Sequence, residues 1–226
     1  MRVDGECVRI LLMPLKKVCV YCGTSGVKMT RDHVFPRGLF PSGGTAPGVN
    51  RLTVPACKEC NNSFADDEAH FRAVMTLAGP TNESSQSVWE EGVLRSLYEK
   101  DGKRRITDLW SIMEHTTVDD ADRLKIYPAK DPRVLRVIKK CVRALSYKHF
   151  GVAILEDQVW ADVLKYSLPA EYEAEVLYMG DEPGVVEYAY VDDPVEDIER
   201  FWLIRFFGRT TFIASVSISN LHPATT

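Results

Sequence analysis

The sequence predicts an α+β protein, and three observations carry that expectation. Two CxxC pairs, Cys19/Cys22 and Cys57/Cys60, frame a turn-rich insert near the N-terminus. The middle of the chain places apolar residues at helical spacing, most clearly in DPRVLRVIKKCVRALSYKH at 131–149. From about residue 174 the stretches EVLYMG, GVVEYAYV, FWLIRFFG and TTFIASVSI are rich in β-branched and aromatic residues and are divided by Gly, Pro and Asp, which points to antiparallel strands. A metal module over 1–80 is expected, followed by an α+β accessory region over 81–226 with a helical middle and a strand-rich end.

Taken in order, residues 7–15 are aliphatic and β-branched and read as a short strand or extended lead-in. From Cys19 to about Phe40 turn formers interrupt any helical period, as in a knuckle followed by a hairpin arm. FPSGGTAPGVN at 40–50 is a loop by composition. A helix is expected to begin close to Asn61, with Asp66, Asp67 and Glu68 early, where the helix dipole favours acids, and to stop at Gly79-Pro80. Helices are also expected at 84–100 and 104–115. The 131–149 helix starts with Asp-Pro, a favoured opening. Its Leu135, Ile138, Val142 and Leu145 form one stripe, and Arg136, Lys140 and Arg143 lie on another face.

The 226 residues are 45% hydrophobic, enough for an ordinary core. The formal charge of −4 is unlike that of a dedicated nucleic-acid-binding module, but it is unevenly spread: residues 1–64 carry nine Lys+Arg against four Asp+Glu, and the remainder is acidic. The cysteine-bearing end is therefore the basic end, and it stays positive with four thiolates and one zinc ion counted. ILLMPL is too short for a signal-peptide core or a membrane span, so a soluble, cytoplasmic protein with no membrane association is expected. In a reducing compartment, cysteines at this spacing favour zinc over disulfides. Two CxxC knuckles supply four soft thiolates, which suits a closed, structural, tetrahedral Zn²⁺ site. Cys7 and Cys141 fall outside the pattern and read as buried apolar thiols. The 34-residue spacer between Cys22 and Cys57 exceeds the usual ribbon length, so something is inserted between the knuckles.

That insert contains TRDHVFPRG, and residues 19–64 resemble the HNH endonuclease family. The likeness rests on the Asp-His step after the first knuckle, an Asn before the second, and a Cys-Asn step opening the helix. It implies a ββα-metal module in which His33 is the general base, Asp32 and Asn61 hold one Mg²⁺ or Mn²⁺ ion, and Asn50 braces the loop and the base. Position 65 is Ala, so the closing-helix histidines of many members are absent. The resemblance further implies DNA as partner, with double-stranded DNA one candidate, and a setting in phage defence or mobile elements.

The chemistry asks for the same residue types. A neutral imidazole accepts a proton from water near neutral pH, and one carboxylate with one amide oxygen makes a hard site suited to Mg²⁺ or Mn²⁺. Adjacent residues on a strand point to opposite faces, which leaves open how Asp32 and His33 converge. Asn62 competes with Asn61 as ligand, with helix capping as its plainer role. Arg31 and Arg37 flank the site and are candidate phosphate contacts, as are Arg136, Lys140 and Arg143 on the later helix; a solvated basic face is the alternative. His70 reads as a surface or packing residue. The competing functions are a zinc-stabilised module that binds nucleic acid or protein without cutting, and a toxin or effector released only by a partner or signal; a regulatory protein partner or a homo-oligomer is also expected.

Overall fold

A computed structural model describes residues 18–41, 51–118, 121–182, 184–192 and 199–217. The expected lead-in strand at 7–15, Cys7, Asn50 and most of the 40–50 loop lie outside the described residues. The fold is α+β. Strand β1 (Met29–His33) pairs antiparallel with β2 (Thr53–Cys57), with Asp32 opposite Val54 and His33 opposite Thr53. Helices α1 (Lys58–Ser63) and α2 (Ala65–Leu77) follow, separated by a break at Phe64. The helix expected to begin near Asn61 thus starts three residues earlier, because Cys57 caps it and its thiol accepts the Cys60 N–H.

A helical run then covers α3 (Glu83–Val88), a π turn and α4 (Leu94–Leu97), close to the expected 84–100 helix. Asn82 opens it with a capping box to Ser85. Helix α5 (Gly102–Ser111) ends before residue 115, where a helix was expected to continue; instead β3 (Met113–Val118) and β4 (Ala121–Ile126) form a hairpin. The Thr116-Thr117-Val118 run is β-branched, and the helical reading passed over that preference.

Helix α6 (Pro132–Phe150) is the expected one. Asp131 caps it by accepting the Arg133 N–H, Pro132 takes the first turn, and Gly151 closes it at φ 70°, a left-handed position that glycine adopts without strain. Strand β5 (Val159–Val163), α7 (Ala170–Glu175) and strands β6 (Met179–Glu182), β7 (Val186–Asp192), β8 (Glu199–Phe206) and β9 (Thr210–Ser217) complete the chain. The last five strands form one antiparallel sheet in the order β5-β9-β8-β7-β6. The sheet therefore begins earlier than residue 174, at a strand that pairs with the C-terminal one.

Alternation along β9 buries Phe212, Ala214 and Val216, and β8 buries Trp202, Ile204 and Phe206 on the same inner face. Helix α6 contacts that sheet through β5 and β9, and it contacts α2 and β2 on its other side. Phe71 of α2 meets Phe206 edge-on with ring centroids 5.1 Å apart, and Phe35, just after β1, lies 5.7 Å from Tyr188. One buried cluster consequently runs from Cys19 to Val216, and the packing crosses the boundary expected near residue 80. Arg209 strengthens this junction by donating to the Met75 and Thr76 carbonyls at 2.8 and 2.9 Å, oxygens that the end of α2 leaves without helical partners. No helix among the described residues is long and apolar enough to cross a membrane.

Candidate metal centre and the adjoining Asp32–Lys140 site

The four cysteines meet at one point. Cys19 and Cys22 lie on a tight knuckle: the Gly23 N–H donates to the Cys19 carbonyl at 2.9 Å, and Gly23 adopts φ 70°. The Val20 N–H donates to the Pro55 carbonyl at 3.0 Å, fastening the knuckle to β2, whose last residue is Cys57. Cys60 sits one turn on, in α1. All four Sγ atoms lie within 4.8 Å of one another, and Cys22 Sγ is 3.9 Å from Cys57 Sγ. A tetrahedral zinc with bonds of about 2.3 Å places its sulfurs about 3.8 Å apart, so the donor set fits Zn²⁺ in both chemistry and spacing. All four thiols are free of disulfides.

Their protonation differs. Hydrogen bonding to Thr24 brings the Cys22 thiol down to about 6, whereas burial pushes Cys60 well up. A bound cation would hold all four as thiolates. Among the described residues no second group of three or more His, Cys, Asp or Glu side chains converges in this way.

Beside this centre, β1 separates its two key residues by the strand's own alternation. Asp32 is 5% exposed and turns inward; His33 is half-buried on the opposite face. Asp32 Oδ2 accepts a hydrogen bond from the Tyr21 hydroxyl at 2.7 Å. Lys140 of α6 reaches the same carboxylate, with Nζ 3.0 Å from Oδ2 and 3.2 Å from Oδ1. Lys140 also donates to the His33 carbonyl at 3.1 Å and pairs with Glu68 of α2. Asn61 projects to the Asp32 side of the hairpin: its amide donates to Thr30 Oγ1 at 2.9 Å, two residues before Asp32 on the same strand face. Because α1 is capped by Cys57, Asn61 lies in its second half rather than at its start, and its side chain is braced on β1.

His33 is held below the ordinary histidine value chiefly by burial; Asp32 beside it opposes that shift, and the Arg51, Arg37 and Lys140 charges add to it. Arg37 is exposed on a short 3-10 turn, and Arg31 is exposed on β1, where it donates to Thr53 Oγ1 at 3.3 Å. Asn62 is exposed on α1 and does not cap it.

The basic face expected on α6 requires correction. Lys140 is 1% and Arg143 is 4% exposed, so neither can meet a nucleic-acid backbone. Arg143 donates to the Ile154 carbonyl at 2.7 Å and to the Tyr21 carbonyl, tying the first knuckle to the segment after α6. Arg136 pairs with Asp67 and stacks 4.6 Å from the Phe64 ring. Long cationic side chains on a buried helix were drawn inward by acceptors that lie far away in sequence.

His70 also has a partner: its Nε2 lies 2.7 Å from Asp131 Oδ2, which ties α2 to the N-cap of α6. Sequence reasoning missed Tyr21 and Glu68 as members of the Asp32 network. Tyr21 had a signal in its place inside the first knuckle, and Glu68 was read only as an acid at a helix start. No family model, curated protein or solved structure matches this chain.

Proposed function

We propose that the zinc-clasped hairpin and helix form an HNH-type endonuclease module that hydrolyses phosphodiester bonds in DNA, with His33 as general base. The observation that carries this reading is the convergence of three residues on one small unit: Asp32 and His33 back to back on β1, and Asn61 braced two residues away on the Asp32 face.

His33 is partly open and is kept neutral near pH 7, so it can take a proton from an attacking water. Arg37 and Arg31 stand exposed around the strand end and would hold phosphate oxygens, which also brings the phosphorus within reach of the base. Asp32 and Asn61 supply one carboxylate and one amide oxygen from the same face and would hold a Mg²⁺ or Mn²⁺ ion. Such an ion supplies Lewis-acid stabilisation of charge developing on phosphate and leaving oxygens. Zinc at Cys19, Cys22, Cys57 and Cys60 does no chemistry in this scheme; it fixes β2 and α1 against the first knuckle.

A second reading, a zinc-stabilised module that binds nucleic acid or protein without cutting, is favoured by one observation. Both Asp32 oxygens are already engaged by Tyr21 and Lys140. A plasmid-nicking assay with Mg²⁺ or Mn²⁺ separates the two, since the binding module leaves the plasmid intact while still retarding it on a gel.

A further inference from the structure

Lys140 is unusual because it is a charged side chain built into the interior at the site where the nuclease reading wants a metal. Three oxygen groups converge on its Nζ: the Asp32 carboxylate at 3.0 and 3.2 Å, the His33 carbonyl at 3.1 Å, and Glu68 Oε1. The Phe64 and Tyr21 rings close the site, with centroids 5.4 and 6.0 Å from the ammonium. These are the surroundings of a small cation, filled from within.

Nor can Lys140 readily leave. Asp131 and Gly151 fix the ends of α6, and Val137, Cys141 and Ala144 beside it are fully buried, which sets the rotation of the helix. Withdrawing the ammonium would leave two carboxylates facing each other in a site with little water.

We propose that Lys140 is the built-in counter-ion of Asp32, and that a divalent ion arriving at Asp32 and Asn61 competes with it for that carboxylate. The inference rests on the metal-dependent reading above and adds a regulation to it. Two cations on one carboxylate repel, so the protein holds a divalent ion weakly as long as Lys140 keeps its charge beside Asp32. Lys140 acts here as a positioning residue, holding Asp32 and, through the His33 carbonyl, the strand that carries the base.

The test uses the zinc-loaded full chain and Mn²⁺ alone, without DNA, with loss of the free-ion electron paramagnetic resonance signal as readout. Native protein and Lys140→Arg are expected to bind Mn²⁺ weakly. Lys140→Met, which keeps the buried stem and removes the charge, is expected to bind about one ion with affinity higher by about tenfold or more. Because Lys140→Met removes the cation that Asp32 and Glu68 share, its melting temperature falls, and Mn²⁺ should raise that temperature while leaving the native value unchanged. Equal Mn²⁺ binding by native protein and Lys140→Met, including none by either, overturns the inference, as does weaker binding by Lys140→Met. Absence of the Mn²⁺-dependent rise in its melting temperature does so too. None of these readouts involves cleavage, so failure here leaves the nuclease reading to its own test.

Discussion

Replacing Cys57 with serine separates the metal's contribution from the helix cap that the same residue provides. Cys57 occupies the N-cap of α1, and its Sγ accepts the Cys60 N–H at 3.4 Å. Serine is among the best capping residues, so Cys57→Ser keeps the cap and removes only a thiolate from the four-sulfur cluster. Structural zinc contributes about 10–16 kcal/mol of apparent binding free energy in small domains, comparable to the whole stability of a typical fold. Cys19 and Cys57 also belong to the continuous core, so the loss spreads beyond the knuckle. If only about 4 kcal/mol of that free energy is felt by the whole chain, the melting temperature of a protein this long falls by about 8–16 °C. Zinc measured by atomic emission should be near one per native chain and far below that in Cys57→Ser, with the fall in melting temperature seen by circular dichroism. A variant that retains its zinc and its melting temperature would refute the assignment of all four cysteines to one zinc ion, and so would native protein without zinc after zinc-replete expression.

Phe71→Ala removes a fully buried ring that packs on Phe206 and Phe212 across the α2–sheet junction; it should cost about 3–5 kcal/mol in urea unfolding, and a loss below about 1 kcal/mol would contradict that packing. Acid should destabilise the protein through His70 and Asp131. Burial and Arg133 hold His70 below its ordinary value, so the unfolded chain binds more protons: this stability is fully present above about pH 6.5 and is lost as pH falls through the folded-state value. Asp131 adds to the loss at lower pH, because, against the opposing effect of burial, hydrogen bonds from Arg133 and His70 keep its carboxyl below the usual range. The urea midpoint should drop between pH 7.5 and 5.5 and drop less in His70→Gln; equal drops would remove His70 from the account.

Local patterns carried much of the fold. The CxxC spacing located all four sulfurs of the candidate metal centre, and Asp131-Pro132 marked the start of α6. Trp202, Phe206 and Phe207, in the FWLIRFFG stretch that reads as strand, are buried. The misread charges on α6 have one physical source, which is that partners distant in sequence decide where a charge goes. Lys140 and Arg143 look like a solvated face until Asp32, Glu68 and the Tyr21 and Ile154 carbonyls are brought to them from elsewhere in the chain. The β3–β4 hairpin and β5 are short strands whose pairing partners local periodicity cannot name. For the candidate site, the residues on β1 and α1 were legible, and the Tyr21, Glu68 and Lys140 shell around Asp32 was not.

The central claim is that His33 activates water for phosphodiester hydrolysis. Supercoiled plasmid incubated with zinc-loaded protein and Mn²⁺ or Mg²⁺ should be nicked by the native chain, and His33→Ala, with its zinc content and melting temperature unchanged, should be slower by about 10²–10⁴-fold. Undiminished nicking by His33→Ala, or intact plasmid with the native protein, would contradict it.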